Sequence, residues 1–412
     1  MKPISLIALS LLVVIILLMI AFLVVYYGCA ERLVKKKLKS NKIDIEINGT
    51  RPWDIQVYNK KLYRDLILNQ SLGFGEGYMK GYWNTPNLKA CLTVLFSSRV
   101  NDNQGTKRYH LRAKLNNMQS RSRSFEVGEH HYDIGNDLYL AMLDPYMQYS
   151  CGYWQTGAKT LEDAQEAKLQ LIAEKLQLKP GMRVLEIGCG FGGLMKYLQT
   201  HYQVEIIGLT VSKEQKKFAK EYFNVDNIRL QDYRDFADQN QGQFDRVVSI
   251  AMFEAVGYKN YRDYFKAVQK MLKKDGLFLM HTIGNNVSVI KTDAWIDKYI
   301  FPNGMIPSIQ QIGSNIEGLF KMEDWHNFGP SYATTLAEWN RRSKQFFLQT
   351  RNPKYDKTFQ RMWDFYLTSC EVAFQLRQLQ LWHVIMTPHQ SIIHQHALTP
   401  YGGFRHYPKK IE

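Results

Sequence analysis

Hydrophobic and polar positions alternate along this chain on several distinct periods. Ile4 to Val25 is almost wholly aliphatic and free of charge, long enough to span a hydrocarbon core and longer than the apolar part of a signal peptide. Ile43, Ile45 and Ile47 alternate with polar residues and predict one strand face; Val57 then leads into a helix through Leu62, Leu66 and Ile67. Between Leu161 and Leu178 the apolar residues Leu161, Ala164, Leu171, Ile172 and Leu176 recur at helical spacing. Short apolar runs follow at Val184–Ile187, Val204–Leu209, Asn227–Leu230, Phe244–Ile250 and Gly276–Ile283, with helical segments such as Lys213–Phe223 and Asn260–Leu272 between them. That alternation predicts an α/β fold, a doubly wound parallel sheet that binds ligands at the carboxyl ends of its strands. A Pro/Gly-punctuated segment from Trp295 to about His326 reads as a lid over an apolar substrate, and Leu336 to His383 reads as aromatic and helical. Three regions follow: an anchor over 1–30, a small domain with a basic linker over 31–124, and a catalytic domain over 125–412.

Charge changes this picture at the amino-terminal end. The chain has 412 residues, 45% of them hydrophobic and 13% aromatic, so order is expected throughout the domains; its net charge of +15 points to a polyanionic partner. Lys2 stands alone before the apolar stretch, while Arg32, Lys35, Lys36, Lys37, Lys39 and Lys42 follow it. The positive-inside bias predicts a single-pass anchor with the enzyme on the cytoplasmic face of a membrane. A second basic run (Arg99, Lys107, Arg108, Arg112, Lys114, Arg121 and Arg123, against Asp102) is either a solvated linker or a surface for acidic lipid head groups. No nucleic-acid module accompanies it, so no nucleic acid is expected as partner. Five scattered cysteines without metal spacing suit a reducing compartment.

The candidate chemistry centres on Val184-Leu-Glu-Ile-Gly-Cys-Gly-Phe-Gly-Gly-Leu194, a strand, a glycine turn and a helix start. Gly188, Gly190 and Gly193 also satisfy the spacing of a dinucleotide turn. A dinucleotide site wants an acid at the end of the next strand, and Val204–Leu209 runs instead into Thr210. Glu186, two residues before the first glycine, suits the ammonium of S-adenosylmethionine. Ser71 to Trp83, rich in glycine and aromatics, either packs two helices together or forms a turn with apolar tips.

Longer motifs carry a resemblance. His131-Tyr-Asp-Ile-Gly-Asn-Asp137, Leu143 to Trp154, Gln231 to Asp235, Met252-Phe-Glu254, His281-Thr-Ile-Gly284, Trp295 to Gly304, Glu323 to Phe328 and Gln380-Leu-Trp382 resemble the cyclopropane-fatty-acyl-phospholipid synthases over about residues 43 to 390. The resemblance implies a Rossmann-like methyltransferase sheet and methylene transfer from S-adenosylmethionine to a cis double bond of a phospholipid acyl chain. It implies a bicarbonate ion held by Cys151, Glu254, His281, the backbone at Ile283, and Tyr332. It places Tyr149, Ser150, Glu186, Gly188, Gly190, Thr210, Gln215, Asp232, Tyr233 and Ile250 around S-adenosylmethionine, with Thr210 and Gln215 in place of the missing acid. The phospholipid bilayer is the implied partner, and a homodimer is compatible. Phe191 stands where many relatives have tryptophan, and Ala255 where they have histidine.

An alkene is a weak nucleophile, so the sulfonium must drive the reaction and the protein must align the two. Methyl addition leaves a carbocation, which aromatic faces can stabilise by ~2 kcal/mol when desolvated. Ring closure then needs a base at one carbon. Read singly, Cys151 could be a small buried residue, His281 a satisfied core histidine, and Glu254 a helix cap. Beside a bicarbonate, Glu254 would need a raised pKa. Rival readings are a relative that quenches the cation differently, and a membrane-anchored lipid-binding protein that has lost catalysis.

Overall fold

A computed structural model describes residues 28–98 and 135–391. The apolar stretch Ile4–Val25, the basic run Arg99–Arg123 and the motif residues 131–134 lie outside them. Among the described residues no helix is long and apolar enough to cross a membrane.

The chain divides into two compact units, one from residues 1–105 with 357–365, the other from 106–356 with 366–412. The first unit is mostly helical: Ala30–Ser40, Lys61–Met79 and Leu88–Ser97. Ile43 and Ile45 are buried as their alternation predicts, yet no strand forms there; Ile47 makes only an isolated bridge to Ile55. The helix Lys61–Met79 breaks at Gln70, where φ is 50°. Gly73 then lies against the Asp65 carbonyl, and Gly77 lies against Leu62 and Trp83, where a Cβ would overlap each neighbour. Gly73 and Gly77 of Ser71–Trp83 are therefore packing positions, while Gly81 lies in open space with φ of 69°. Residues 357–365 join this unit through Arg361, whose guanidinium stacks 3.8 Å from the Tyr78 ring and donates to the Trp83 carbonyl at 3.0 Å.

The second unit is built on a seven-stranded sheet. Its strands are β1 (Arg183–Ile187), β2 (Glu205–Thr210), β3 (Ile228–Leu230), β4 (Phe244–Ile250), β5 (Leu272–Asn285), β6 (Phe320–Asn327) and β7 (Leu379–Pro388). They lie in the order β3-β2-β1-β4-β5-β7-β6. The first five run parallel, as expected of strands joined by helical crossovers. Between them lie α2 (Gly193–Tyr202), α3 (Lys213–Phe223), α4 (Tyr233–Gln239) and α5 (Tyr261–Met271), preceded by α1 (Leu161–Lys175). Thr160 and Asp163 close a reciprocal capping box that starts α1 where the pattern placed it.

Two corrections concern the carboxyl-terminal part. The sheet is mixed, because β7 pairs antiparallel with both β5 and β6. The segment from Trp295 to His326 is no separate lid. It holds α6 (Ala294–Tyr299), α7 (Ile309–Ile316) and most of β6, and its Ile312, Ile316 and Phe320 join the main core with Phe265 and Phe278. The aromatic stretch after it forms α8 (Pro330–Gln349) and α9 (Lys357–Gln375), but Leu379 onward is strand. An uninterrupted apolar run with both faces covered has no period to separate strand from helix.

Candidate active site

The glycine turn after β1 separates into packing and open positions. Gly188 and Gly190 take φ of 79° and 52°, in the left-handed region that glycine adopts without strain. A Cβ at Gly188 would overlap Met252, and one at Gly193 the Tyr146 carbonyl. A Cβ at Gly190 would meet nothing closer than Gln215 Nε2 at 3.9 Å. Gly190 alone faces space that a ligand can use.

Glu186, two residues before the first glycine of the turn, has an unmet need. It is 3% exposed, and its Oε2 has no hydrogen-bond partner. Burial pushes its carboxyl up to about 8, although the Lys168 ammonium pulls it down. A buried carboxylate oxygen without a donor is costly unless a cation arrives. At the end of β2, Thr210 donates to Gln215 Oε1 at 2.6 Å, leaving the Gln215 amide nitrogen turned toward Gly190. Asp232 differs from expectation: its carboxylate caps α4 and is held by Arg234, at 2.8 Å from Nε and 2.7 Å from Nη2. The Tyr233 ring packs into the core against Tyr264, centroids 5.2 Å apart, so only its backbone is left to meet a ligand. Ile250 ends β4 and lies opposite His281 in the ladder.

Tyr149, Ser150 and Cys151 form one buried segment pinned by residues that the motifs did not single out. Gln165 Nε2 donates to the Ser150 carbonyl at 2.8 Å, and Lys168 Nζ donates to Ser150 Oγ at 3.2 Å and to Gln148 Oε1. Lys168 has no solvent exposure, and burial lowers its pKa to about 8. The signal was present: Ala164, Lys168, Leu171 and Lys175 follow the apolar spacing of α1. From the other side Thr335 on α8 accepts from the Gly152 amide at 3.1 Å and from Trp154 Nε1 at 2.9 Å. The Tyr149 hydroxyl meets the Tyr366 hydroxyl at 3.0 Å, and its ring lies 5.1 Å from Trp339 and 5.2 Å from Tyr139.

Of the residues expected to hold the anion, Glu254, His281 and Ile283 lie at the ends of β4 and β5. Tyr332 is near enough to Cys151 and Glu254 to feel their charge. Glu254 Oε1 accepts from the Ile283 amide at 2.6 Å, while its Oε2 is enclosed and unpartnered. Burial raises this carboxyl to about 7. His281, with no solvent exposure, bonds His383 through Nδ1 at 2.9 Å and leaves Nε2 without a partner. Tyr332 on α8 lies 4.7 Å from the Phe374 ring, and its phenol is held protonated by burial and by the neighbouring Cys151, Cys370 and Glu254. Cys151 is likewise held as a thiol by burial, and its Sγ donates to the Gly152 carbonyl at 3.1 Å. In this structure the Ile283 amide is therefore bonded to Glu254 rather than free for an anion. Ala255 is exposed, one residue beyond the carboxylate that the Ile283 amide holds.

The geometry is that of a two-sided site, and comparison with known proteins gives it a family. A profile described as mycolic acid cyclopropane synthetase matches residues 119–384. The chain is 47% identical over 354 residues to the cyclopropane-fatty-acyl-phospholipid synthase of Escherichia coli K12, covering 84% of this chain and 91% of that one. It is 33% identical over 341 residues to tuberculostearic acid methyltransferase UfaA1 of Mycobacterium tuberculosis, covering 76% of this chain and 77% of that one. Among solved structures, the cyclopropane synthase MmaA2 of M. tuberculosis superposes with a TM-score of 0.56 at 29% identity, covering 66% of this chain and all (100%) of that one. Mycolic acid cyclopropane synthase CmaA1, complexed with SAH and CTAB, gives 0.55 at 28% identity, covering 64% and 98%. The chain belongs to the mycolic acid cyclopropane synthetase family.

Proposed function

We propose that this protein transfers a methylene group from S-adenosylmethionine to the cis double bond of unsaturated phospholipid acyl chains, with a bound bicarbonate as base, at a membrane surface. The coarser statement, an S-adenosylmethionine-dependent synthase of cyclopropane fatty acids, follows from the family. The observation that carries the finer reading is a set of three enclosed polar atoms without protein partners, Glu186 Oε2, Glu254 Oε2 and His281 Nε2, all on or just after β1, β4 and β5. Such atoms are rare in protein interiors and mark places where a ligand completes the bonding.

Glu186 is suited to the ammonium of S-adenosylmethionine, with Gly190 leaving room for its approach and Gln215 offering an amide. When bound, that molecule supplies an electrophilic methyl group. On the other side, His281 Nε2, the Tyr332 hydroxyl and a neutral Glu254 carboxyl fit an anion as donors. Cys151 lies near enough to Tyr332 to influence its ionisation. When bound, bicarbonate supplies the base that ring closure requires. The rings of Tyr149, Tyr332, Trp339, Tyr366 and Phe374 exclude water and offer π-faces to positive charge; one desolvated contact is worth ~2 kcal/mol. Burial disfavours the Cys151 thiolate and the Glu254 carboxylate, either of which could trap the cation covalently.

Membrane residence belongs to the same proposal: Ile4–Val25 would tether the enzyme, and the basic run 99–123 would face anionic head groups at ~1 kcal/mol per basic residue. The test is incubation with vesicles of unsaturated phospholipid and labelled S-adenosylmethionine, followed by fatty-acid analysis. The expected product gains one CH2 and loses its olefin. A methylated chain that retains a double bond would support the second reading, in which the cation is quenched differently.

A further inference from the structure

Three histidines stand in a row across the sheet. His281 on β5 is directly opposite His383 on β7, and His383 is directly opposite His326 on the edge strand β6. His281 and His383 have no solvent exposure, and their rings are joined at 2.9 Å between His281 Nδ1 and His383 Nε2. The outer nitrogens of this pair, His281 Nε2 and His383 Nδ1, have no partner. Phe328 packs edge-on against both rings, centroids 6.0 Å from His281 and 4.8 Å from His383, and keeps the pair dry. The charges nearby are the ammonium of Lys168, which bears on both rings, and that of Lys175, which is ion-paired with Asp324 on β6 at 2.8 Å.

A bond between two neutral imidazoles has one proton and two directions, and the direction decides what His281 shows to the site. If His281 donates, His383 must carry its own proton on Nδ1, an N–H sealed in the interior with no acceptor. If His383 donates from Nε2, its bare Nδ1 is the sealed atom and His281 carries its proton on Nε2, on the side of the ring away from β7. Each arrangement leaves one buried N–H without a protein acceptor, His383 Nδ1–H in the first and His281 Nε2–H in the second. Such groups are rare, and the second is favoured because its N–H lies on the side where an anion would accept from it. We propose that His383 is a positioning residue for the transfer reaction: its Nε2–H donates to His281 Nδ1 and fixes His281 as the tautomer whose Nε2–H faces the anion pocket. Burial and the Lys168 charge lower the pKa of both rings well below the ordinary histidine value, with Lys175 and His326 acting further on His383, which keeps the pair neutral as this requires. The tautomer rests on the proposed function to this extent, that the anion pocket supplies the acceptor for His281 Nε2–H.

The test uses the full chain labelled with 15N-histidine, the His281 signals being assigned by their loss in His281→Gln. Long-range 1H–15N correlation reads which ring nitrogen carries hydrogen. The expected result is a protonated Nε2 and a bare Nδ1 on His281. His383→Gln, whose amide can still donate to Nδ1, should keep that tautomer and most of the turnover. His383→Leu should give a mixture of tautomers and lower kcat by about tenfold or more, the scale for losing a group that orients an active-site histidine. Its S-adenosylmethionine affinity should change by less than about twofold. A wild-type His281 protonated on Nδ1, or a His383→Leu enzyme with unchanged tautomer and kcat, would overturn the proposal. Should His383→Leu fail to fold, the wild-type spectrum decides alone. If the tautomer is as expected while the rate ignores bicarbonate, the base assignment fails and the His383 inference stands.

Discussion

The two sides of the site are both enclosed and both assembled at strand ends, and burial raises the carboxyl of each, Glu186 to about 8 and Glu254 to about 7. Yet the first rise is opposed by a lysine ammonium and the second by a backbone amide. On the S-adenosylmethionine side, Glu186 is left with an oxygen that only a cation or donor can satisfy. On the acceptor side burial keeps His281 neutral and Tyr332 and Cys151 protonated, and raises Glu254 to about 7. One half is prepared for a charged molecule. The other is prepared for an uncharged double bond, and for positive charge that develops only during reaction. A protein that placed a standing carboxylate beside the alkene would lose the cation to it.

That contrast should appear most strongly in turnover. Glu254→Gln removes the titratable carboxyl of the acceptor side and should cut kcat by about 10²-fold or more, while S-adenosylmethionine affinity in a calorimetric titration stays within about twofold. Equal loss of affinity would move Glu254 into the other half and erase the distinction. Glu186→Gln should do the reverse. Losing the buried partner of an ammonium costs about 3 kcal/mol, so its Kd should rise ~100-fold.

The glycines sharpen the comparison further, because only one of them faces the ligand side. Gly193→Ala drives a methyl into the Tyr146 carbonyl and should destabilise the fold by ~3 kcal/mol in urea titration. Gly190→Ala meets open space and should cost only ~1 kcal/mol of backbone strain, its main effect falling on S-adenosylmethionine affinity. The smallest effect is on pH dependence. Glu186 and Glu254 have folded pKa values of about 8 and about 7, above the ordinary 4.5. Groups raised in this way stabilise the fold fully below the ordinary carboxylate range and lose that contribution as pH rises through the folded values. The ligand-free protein should therefore lose stability between pH 5 and about pH 8, where the opposite contribution of Lys168 begins. Saturating S-adenosylmethionine should restore the part due to Glu186, with proton release on binding, visible as buffer-dependent calorimetric heats at pH 7.

How much of this could be read from the sequence follows the same division. The S-adenosylmethionine side is local: Val184–Leu194 carries its strand, turn, acid and helix in eleven consecutive residues, and the parallel strands around it alternate with helices on a clear period. Even there, spacing alone did not tell Gly190 from Gly188 and Gly193, since the difference lies in what each would touch. The acceptor side is distributed over Cys151, Glu254, His281 and Tyr332, and only the resemblance joined them. Lys168 lies on the apolar stripe of α1, where a lone lysine in the sequence gives no sign that it is buried. The helical reading of Leu336 to His383 runs into the strand that holds His383, because a strand covered on both faces shows no alternation. The edge strand β6 was missed for the opposite reason: Lys321, Glu323, Asp324, His326 and Asn327 make it polar enough to pass for a loop.

The most direct test of the two-sided account is the rate of methylene transfer in buffer freed of carbonate. In the proposed reaction bicarbonate, and no side chain, takes the proton that ring closure releases. Removing carbonate should therefore lower the rate while leaving S-adenosylmethionine affinity unchanged, and adding bicarbonate should restore it. A rate that stayed the same after verified removal of carbonate would contradict the account and make a side chain the base, with Glu254 and His281 the first to examine.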